Sequence, residues 1–167
     1  MTVHLRQAEP ADVPCLTAIY NFHVENSDAT FDEVPASMVE REKWFNTYAA
    51  TGPHQLLVAE VEGEAAGYAC SSPYRAHPAF SQTVETSIYL GSGMQGRGLG
   101  KSLYDALLLR LAAEGVHLAV AGVALPNDAS VALHRSRGFR EVGTFTEYAV
   151  KRGKRISSSW FEKLIVT

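Results

Sequence analysis

Residues Gly91 to Ser102 read GSGMQGRGLGKS, with five glycines among the first ten positions. The run before them, TVETSIYL from Thr83 to Leu90, has the β-rich, alternating character of a strand. The run after them places Leu99, Leu103, Leu107 and Leu111 in one i+4 row, a helical pattern reaching from about Gly98 to Glu114. A strand, a glycine loop and a helix in direct succession bring backbone N–H groups and the positive end of a helix dipole to one place. That junction predicts an anion site.

Three phosphate-binding loops share this outline. A Walker A loop needs G-x-x-x-x-G-K-[ST], and GKS is present at Gly100 to Ser102, but Gln95 stands where the first glycine belongs. The fingerprint G-x-G-x-x-G is literally met at Gly91, Gly93 and Gly96. It also requires an acidic residue at the end of the next strand, and VHLAVAGVAL contains none. The third form, Q/R-x-x-G-x-G/A, is met by Gln95, Gly98 and Gly100, with Arg97 and Lys101 adding charge suited to a diphosphate. A plain flexible turn would explain the glycines but not their position at a helix start.

The remaining chain supplies the setting. VHLRQA reads as a strand, and Asp12 precedes a helix over VPCLTAIYNFHVEN. Pro35 fits the first turn of a second helix, PASMVEREKWFNTYAAT, whose Trp44, Phe45 and Tyr48 form a core-facing set. A hairpin turns at Glu62-Gly63, a short helix occupies NDASVALHRSRG, and a final strand pair surrounds VKRGKR. The order β-α-α-β-β-β-α-β-α-β-β predicts an α/β domain with mixed pairing, since tight hairpins cannot join parallel strands. With 167 residues, we expect one domain over residues 1–167.

A net charge of −3 gives no general attraction to nucleic acid or anionic membranes, so neither is expected as a partner. KRGKR, Lys151 to Arg155, reads as a solvated hairpin tip. Cys15 and Cys70 form no CxxC and suggest a reducing compartment, although one pair could bridge. The N-terminus lacks an apolar leader and no run approaches 18 apolar residues, so a cytoplasmic location is expected. His4, His23, His54 and His117 show no metal spacing; they read as structural or solvated, and no metal is expected.

Two further stretches carry candidate chemistry. Alternation in TVETSIYL puts Val84, Thr86, Ile88 and Leu90 on one face and Glu85, Ser87 and Tyr89 on the other. Glu85 is a carboxylate in mid-strand, where Glu is disfavoured; it is either an ion-paired edge residue or a functional group. In LPNDASVALHRSRGF, Asn127 is a good N-cap, and Asn127, Ser130 and His134 share a helix face while Leu133 packs elsewhere. That row is either a cap with surface side chains or a polar lining.

Together, IYN at Ile19 to Asn21, ATFD at Ala29 to Asp32, TVETSIYL, QGRGLGKSLYDALL, LPNDASVALH and Gly138-Phe139 resemble the GNAT N-acetyltransferases. Within them, the chain is most similar to the phosphinothricin/methionine sulfoximine acetyltransferase group, over nearly its whole length. The resemblance implies a GNAT-like single domain, a mostly antiparallel central sheet flanked by helices, acetyl-CoA as co-substrate and a small-molecule amine acceptor. Glu85 would be the general base, acting directly or through water, and burial in a cleft would raise its pKa. Backbone groups of Ile88, Tyr89 and Leu90 would hold the pantetheine, one N–H polarising the thioester carbonyl. Gly96, Arg97, Gly98, Leu99, Gly100 and Lys101 would hold the diphosphate. Asn127 would bind the pantetheine, with Ser130 and Ser136 close to CoA, and His134 would protonate the thiolate or position CoA.

Phe31, Arg75, His77, Phe80 and Glu85 would form the acceptor site, the Arg75 guanidinium facing an acidic tail. This chain departs from the group by having His77 in place of arginine and Phe80 in place of tyrosine. Its last hairpin departs too, with Arg155 and Ser157 where the group carries Trp and Asp, and Trp160 later. The implied acceptor is the α-amine of an amino-acid analogue such as phosphinothricin, methionine sulfoximine or methionine sulfone, and the implied assembly is a homodimer. The open alternatives are another amine (polyamine, aminoglycoside or protein N-terminus) or an acyl-CoA sensor without turnover.

Overall fold

A computed structural model describes residues 2–165; residues 1, 166 and 167 of the expected domain lie outside them. The elements are β1 (Val3–Gln7), α1 (Val13–Asn26), α2 (Met38–Phe45), β2 (Leu56–Val61), β3 (Glu64–Pro73), β4 (Thr83–Leu90) and α3 (Leu99–Ala113). They continue with β5 (Leu118–Ala124), α4 (Asp128–Ser136), β6 (Arg140–Lys151) and β7 (Lys154–Leu164). One seven-stranded sheet has the order β1-β2-β3-β4-β5-β7-β6. Among the described residues β4–β5 is the one parallel pairing, and its crossover runs through α3.

The sheet is covered on both faces, which is why β2 reads as the unbroken apolar run LLVA. Leu57 and Ala59 pack toward α3, where Leu99, Leu103, Leu107 and Leu111 are all buried. Leu56 and Val58 pack the other way, against Leu16 and Ile19 of α1, with Trp44, Phe45 and Tyr48 of the α2 region closing that layer. Burying each such leucine stabilises the fold by roughly 1.5–3 kcal/mol. The hairpins turn where the sequence predicts, with positive φ at Glu62 and Gly63 and again at Arg152 and Gly153.

Two expectations need correction. Helix α2 starts at Met38 rather than at Pro35. Ser37 accepts the Glu40 N–H at 3.3 Å, and the Glu40 carboxylate accepts the Ser37 N–H at 2.8 Å, a reciprocal capping box. Pro35 lies upstream, in a segment kept out of the helix because the Asn21 amide pairs with both backbone groups of Ala36.

The KRGKR turn is a hairpin tip with Arg152 to Arg155 exposed, but Lys151 is not solvated. Lys151 is only 2% exposed, and its ammonium donates to the Ser27 carbonyl at 2.6 Å and the Thr30 carbonyl at 2.8 Å. Arg152 donates to the carbonyls of Val24 and Glu25 at 3.1 and 3.0 Å, and Lys154 pairs with Asp28 at 2.8 Å. The last turn of α1 leaves carbonyls unsatisfied at the negative end of its dipole, and Arg152 meets two of them while Lys151 meets carbonyls just beyond the helix end.

Candidate active site

The β4–β5 ladder contains three pairs, Thr83↔Leu118, Val84↔Ala119 and Glu85↔Val120, and then stops. Beyond it β4 remains paired with β3 as far as Leu90, and β5 remains paired with β7 as far as Ala124. The two strands therefore diverge, and a cleft of about 720 Å³ opens between them. Thr86 to Leu90 form one wall and Gly122 to Ala124 the other; the glycine loop, α3 and α4 close one end. The backbone of Ile88, Tyr89 and Leu90 that faces β5 thus has no neighbouring strand to satisfy it.

Most of the residues expected to hold the cofactor meet in this cleft. Ile88, Tyr89, Leu90, Gly96, Gly98, Gly100, Lys101, Asn127, Ser130, His134 and Ser136 all line it. Gly96 and Gly98 adopt left-handed φ of 75° and 82°, which lets the loop turn its amides toward the start of α3. Gly100 is small for a different reason: a Cβ there would lie 3.0 Å from Leu133. Leu133 accordingly lines the cleft rather than packing elsewhere. Asn127 caps α4 by accepting the Ser130 N–H at 3.1 Å. Leu99 is buried in the core, and neither it nor Arg97 lines the cleft.

Where the strands part, a polar chain fills the vertex. The Thr86 hydroxyl lies 3.4 Å from the Val120 carbonyl, on the last rung of the ladder, and 3.3 Å from the Tyr104 hydroxyl. Tyr104 in turn lies 2.8 Å from His134 Nε2, while His134 Nδ1 is 2.7 Å from the Ser130 carbonyl. A carbonyl only accepts, so the network assigns the imidazole proton to Nδ1 and leaves Nε2 to accept from the phenol. Burial pushes the His134 pKa below its usual value and the Tyr104 pKa above its own. His134 is also stacked on Phe161. Both ring nitrogens are thus engaged within the protein.

Glu85 sits on the last rung itself, half-buried, one residue before the opening and outside the lining of the cleft. Burial raises its carboxyl pKa above the ordinary glutamate value. The residues expected at the acceptor end follow β3, whose Pro73 pairs with Val84 beside Glu85. The Arg75 guanidinium lies 5.3 Å from the centre of the Tyr74 ring and 5.8 Å from that of Phe80. His77 Nδ1 accepts the Ala79 N–H at 3.1 Å, so the ring's other nitrogen is its available donor. Phe31 packs edge-on against Tyr148. None of Phe31, Arg75, His77 and Phe80 lines the cleft.

The architecture and the cleft have counterparts among known proteins. A model described as the acetyltransferase (GNAT) family matches residues 17–139, from α1 through the glycine loop to the end of α4. The chain belongs to the GNAT acetyltransferase family. It is 44% identical over 163 residues to a phosphinothricin N-acetyltransferase of Streptomyces coelicolor, covering 96% of this chain and 95% of the relative. It is 36% identical to an L-methionine sulfoximine/L-methionine sulfone acetyltransferase of Pseudomonas aeruginosa, over 97% of this chain and 94% of the relative. A crystal structure of a phosphinothricin acetyltransferase from Sinorhizobium meliloti in complex with acetyl-CoA superimposes with a TM-score of 0.93 at 34% identity. That match covers 99% of this chain and 89% of the other.

Three residues of this GNAT acetyltransferase escape the sequence reading. Tyr104 and Thr86 line the cleft, yet each carries an ordinary core position in its element. His23 also lines it, and its Nε2 donates to the Leu90 carbonyl at 2.8 Å. The i+4 rows that reveal a helix's buried face do not show which hydroxyl or imidazole on that face meets a gap in the sheet.

Proposed function

We propose that residues 1–167 act as one N-acetyltransferase domain that moves the acetyl group of acetyl-CoA to the α-amine of a small amino-acid analogue. Phosphinothricin, methionine sulfoximine and methionine sulfone are the acceptors we favour, as named for the relatives above. The observation that carries the reading is the parting of β4 and β5 directly after Glu85. It supports the reading because the edge of β4 that opens after this carboxylate runs on to the glycine loop and the start of α3.

The residues present suit acetyl-CoA. Gly96 to Lys101, with the first N–H groups of α3, would take the diphosphate. Ile88, Tyr89, Leu90 and Asn127 would take the pantetheine, and Ser130 and Ser136 would flank it. When bound, acetyl-CoA supplies an acetyl thioester. One N–H of the open β4 edge would polarise its carbonyl, and each such donor contributes roughly 2.7–4 kcal/mol in other enzymes. Glu85 would take one ammonium proton of the acceptor directly or through a water, so that the amine attacks the thioester carbon in a ternary complex. The C–S bond then breaks, and the surplus proton left on nitrogen passes to the CoA thiolate. His134 would hold the cleft floor through Tyr104 rather than give up a proton, because its N–H is committed to Ser130.

Phe31 would wall the acceptor side chain, and Arg75, His77 and Phe80 would meet its acidic or oxo-bearing end. A homodimer is supported by the outer strand β6, which leaves Val142, Phe145, Tyr148 and Val150 exposed, Tyr148 packing against both Phe145 and Phe31. A cytoplasmic location is supported by two free thiols, Cys15 and Cys70. We expect no metal, nucleic acid or membrane partner.

The test is thiol release from acetyl-CoA against phosphinothricin, methionine sulfoximine, methionine sulfone, spermidine, an aminoglycoside and a peptide N-terminus. Turnover confined to the amino-acid analogues supports the assignment. Turnover with spermidine or peptide alone replaces the acceptor, and acetyl-CoA binding without any turnover makes the protein a sensor.

A further inference from the structure

The segment between α1 and α2 is held by groups distant in sequence. Tyr20 bridges the Thr30 hydroxyl at 2.8 Å and the Asp32 carboxylate at 2.5 Å. From the other side, the buried Lys151 ammonium draws the carbonyls of Ser27 and Thr30 to a single point. Between those two carbonyls lies Ala29, which lines the cleft and whose own carbonyl is 3.4 Å from the Tyr89 hydroxyl. Phe31 follows directly, turned onto Tyr148. Among the described residues Lys151 forms no salt bridge; Asp28, Asp32 and Glu33 act on it only at longer range. Burying a lysine for two backbone carbonyls is costly unless that turn must have one shape.

We propose that Lys151 is a positioning residue for the acceptor amine, fixing the Ser27–Thr30 turn so that Ala29 stands in the wall of the cleft and Phe31 stands outside it against Tyr148. This role rests on the acetyl-transfer reading above, with the acceptor entering on that side. Lys151 itself touches neither substrate. It acts through the backbone it holds, which meets the cofactor wall where the Tyr89 hydroxyl reaches the Ala29 carbonyl; α3 and α4 lie apart from it.

The test compares wild type, Lys151→Met and Lys151→Gln by steady-state kinetics, acetyl-CoA titration calorimetry and hydrogen exchange. In Lys151→Met the acceptor KM should rise about tenfold or more, as expected for losing hydrogen bonds from a charged donor. Affinity for acetyl-CoA should stay within about twofold, and exchange should quicken in residues 27–33 but not in α3. Lys151→Gln keeps an uncharged NH2 donor and should show a smaller rise of the same kind; it decides the matter alone if Lys151→Met does not fold. An unchanged acceptor KM in a folded variant overturns the role, as does a parallel loss of acetyl-CoA affinity with faster exchange throughout. A wild type that binds acetyl-CoA but acetylates no amine overturns the acetyl-transfer reading and this role with it, whereas wild-type turnover with an unmoved KM overturns this role alone.

Discussion

The two ends of the cleft are built by different means. The cofactor end uses contiguous segments: β4, the glycine loop and the start of α3 follow one another in the chain, and α4 lies close behind. Many of its groups are backbone, and the alternation and i+4 rows that form it are local. The proposed acceptor end draws on distant pieces: the turn after β3, the 27–36 loop and the β6–β7 hairpin, the last two tied together by Lys151 and Lys154. Local patterns specify the first end, and long-range polar contacts specify the second. The first should therefore tolerate little change in shape, and the second should retune with single side chains.

Variants can break this contrast. The largest effect is expected at the junction of the two ends. Replacing Glu85 by Gln should lower kcat by about 10²–10⁴ while calorimetry finds acetyl-CoA affinity unchanged. A comparable loss of affinity would place Glu85 in the cofactor end instead.

Within the cofactor end, Tyr104→Phe removes the donor to His134 Nε2 and should cost about 1–3 kcal/mol of stability in urea unfolding, with acceptor selectivity unmoved. The same pair carries a pH signature. The folded-state pKa of His134 is depressed by burial, so protonation favours the unfolded chain. Stability from this group is full above the unfolded value of roughly 6.5 and declines as pH falls below it. His134→Asn should flatten that part of the profile, and an unchanged slope would show that His134 is not its source.

At the outer face, Phe145→Ser with Tyr148→Ser should shift sedimentation from dimer to monomer and weaken acceptor binding before acetyl-CoA binding. A monomeric wild type removes the assembly from the account. The smallest effect belongs to His77→Arg. Its added charge is exposed and screened, so preference for anionic phosphinothricin over methionine sulfone should rise only about two- to fivefold in kcat/KM. No change in that ratio would place position 77 away from the acceptor's tail.

The same contrast explains what could be read from the sequence. The bounds of β4 and the start of α3 follow from alternation and from glycines at a helix start, and both agree with the structure. The capping box at Ser37 and Glu40 is visible as S-x-x-E, but Pro35 offers a competing start signal two residues earlier. KRGKR shows charge without revealing its partners, because Lys151 meets carbonyls 124 and 121 residues away. Tyr104 reads as one more buried helix residue, since only the parting of β4 and β5 gives its hydroxyl a role. Asn127, Ser130 and His134 do share a face, yet the sequence could not show that His134 spends its proton on Ser130.

The central claim is that the strands part at Glu85 in order to present a partly desolvated carboxylate as the base. The most direct measurement is the pH dependence of kcat/KM for the amine, in wild type and in Glu85→Gln. Burial raises this carboxyl's pKa, so wild-type kcat/KM should rise with pH through a limb above the ordinary glutamate value of roughly 4.3. Glu85→Gln should be slow and should lack that limb. A variant that keeps both the limb and a near-wild-type rate would contradict the account.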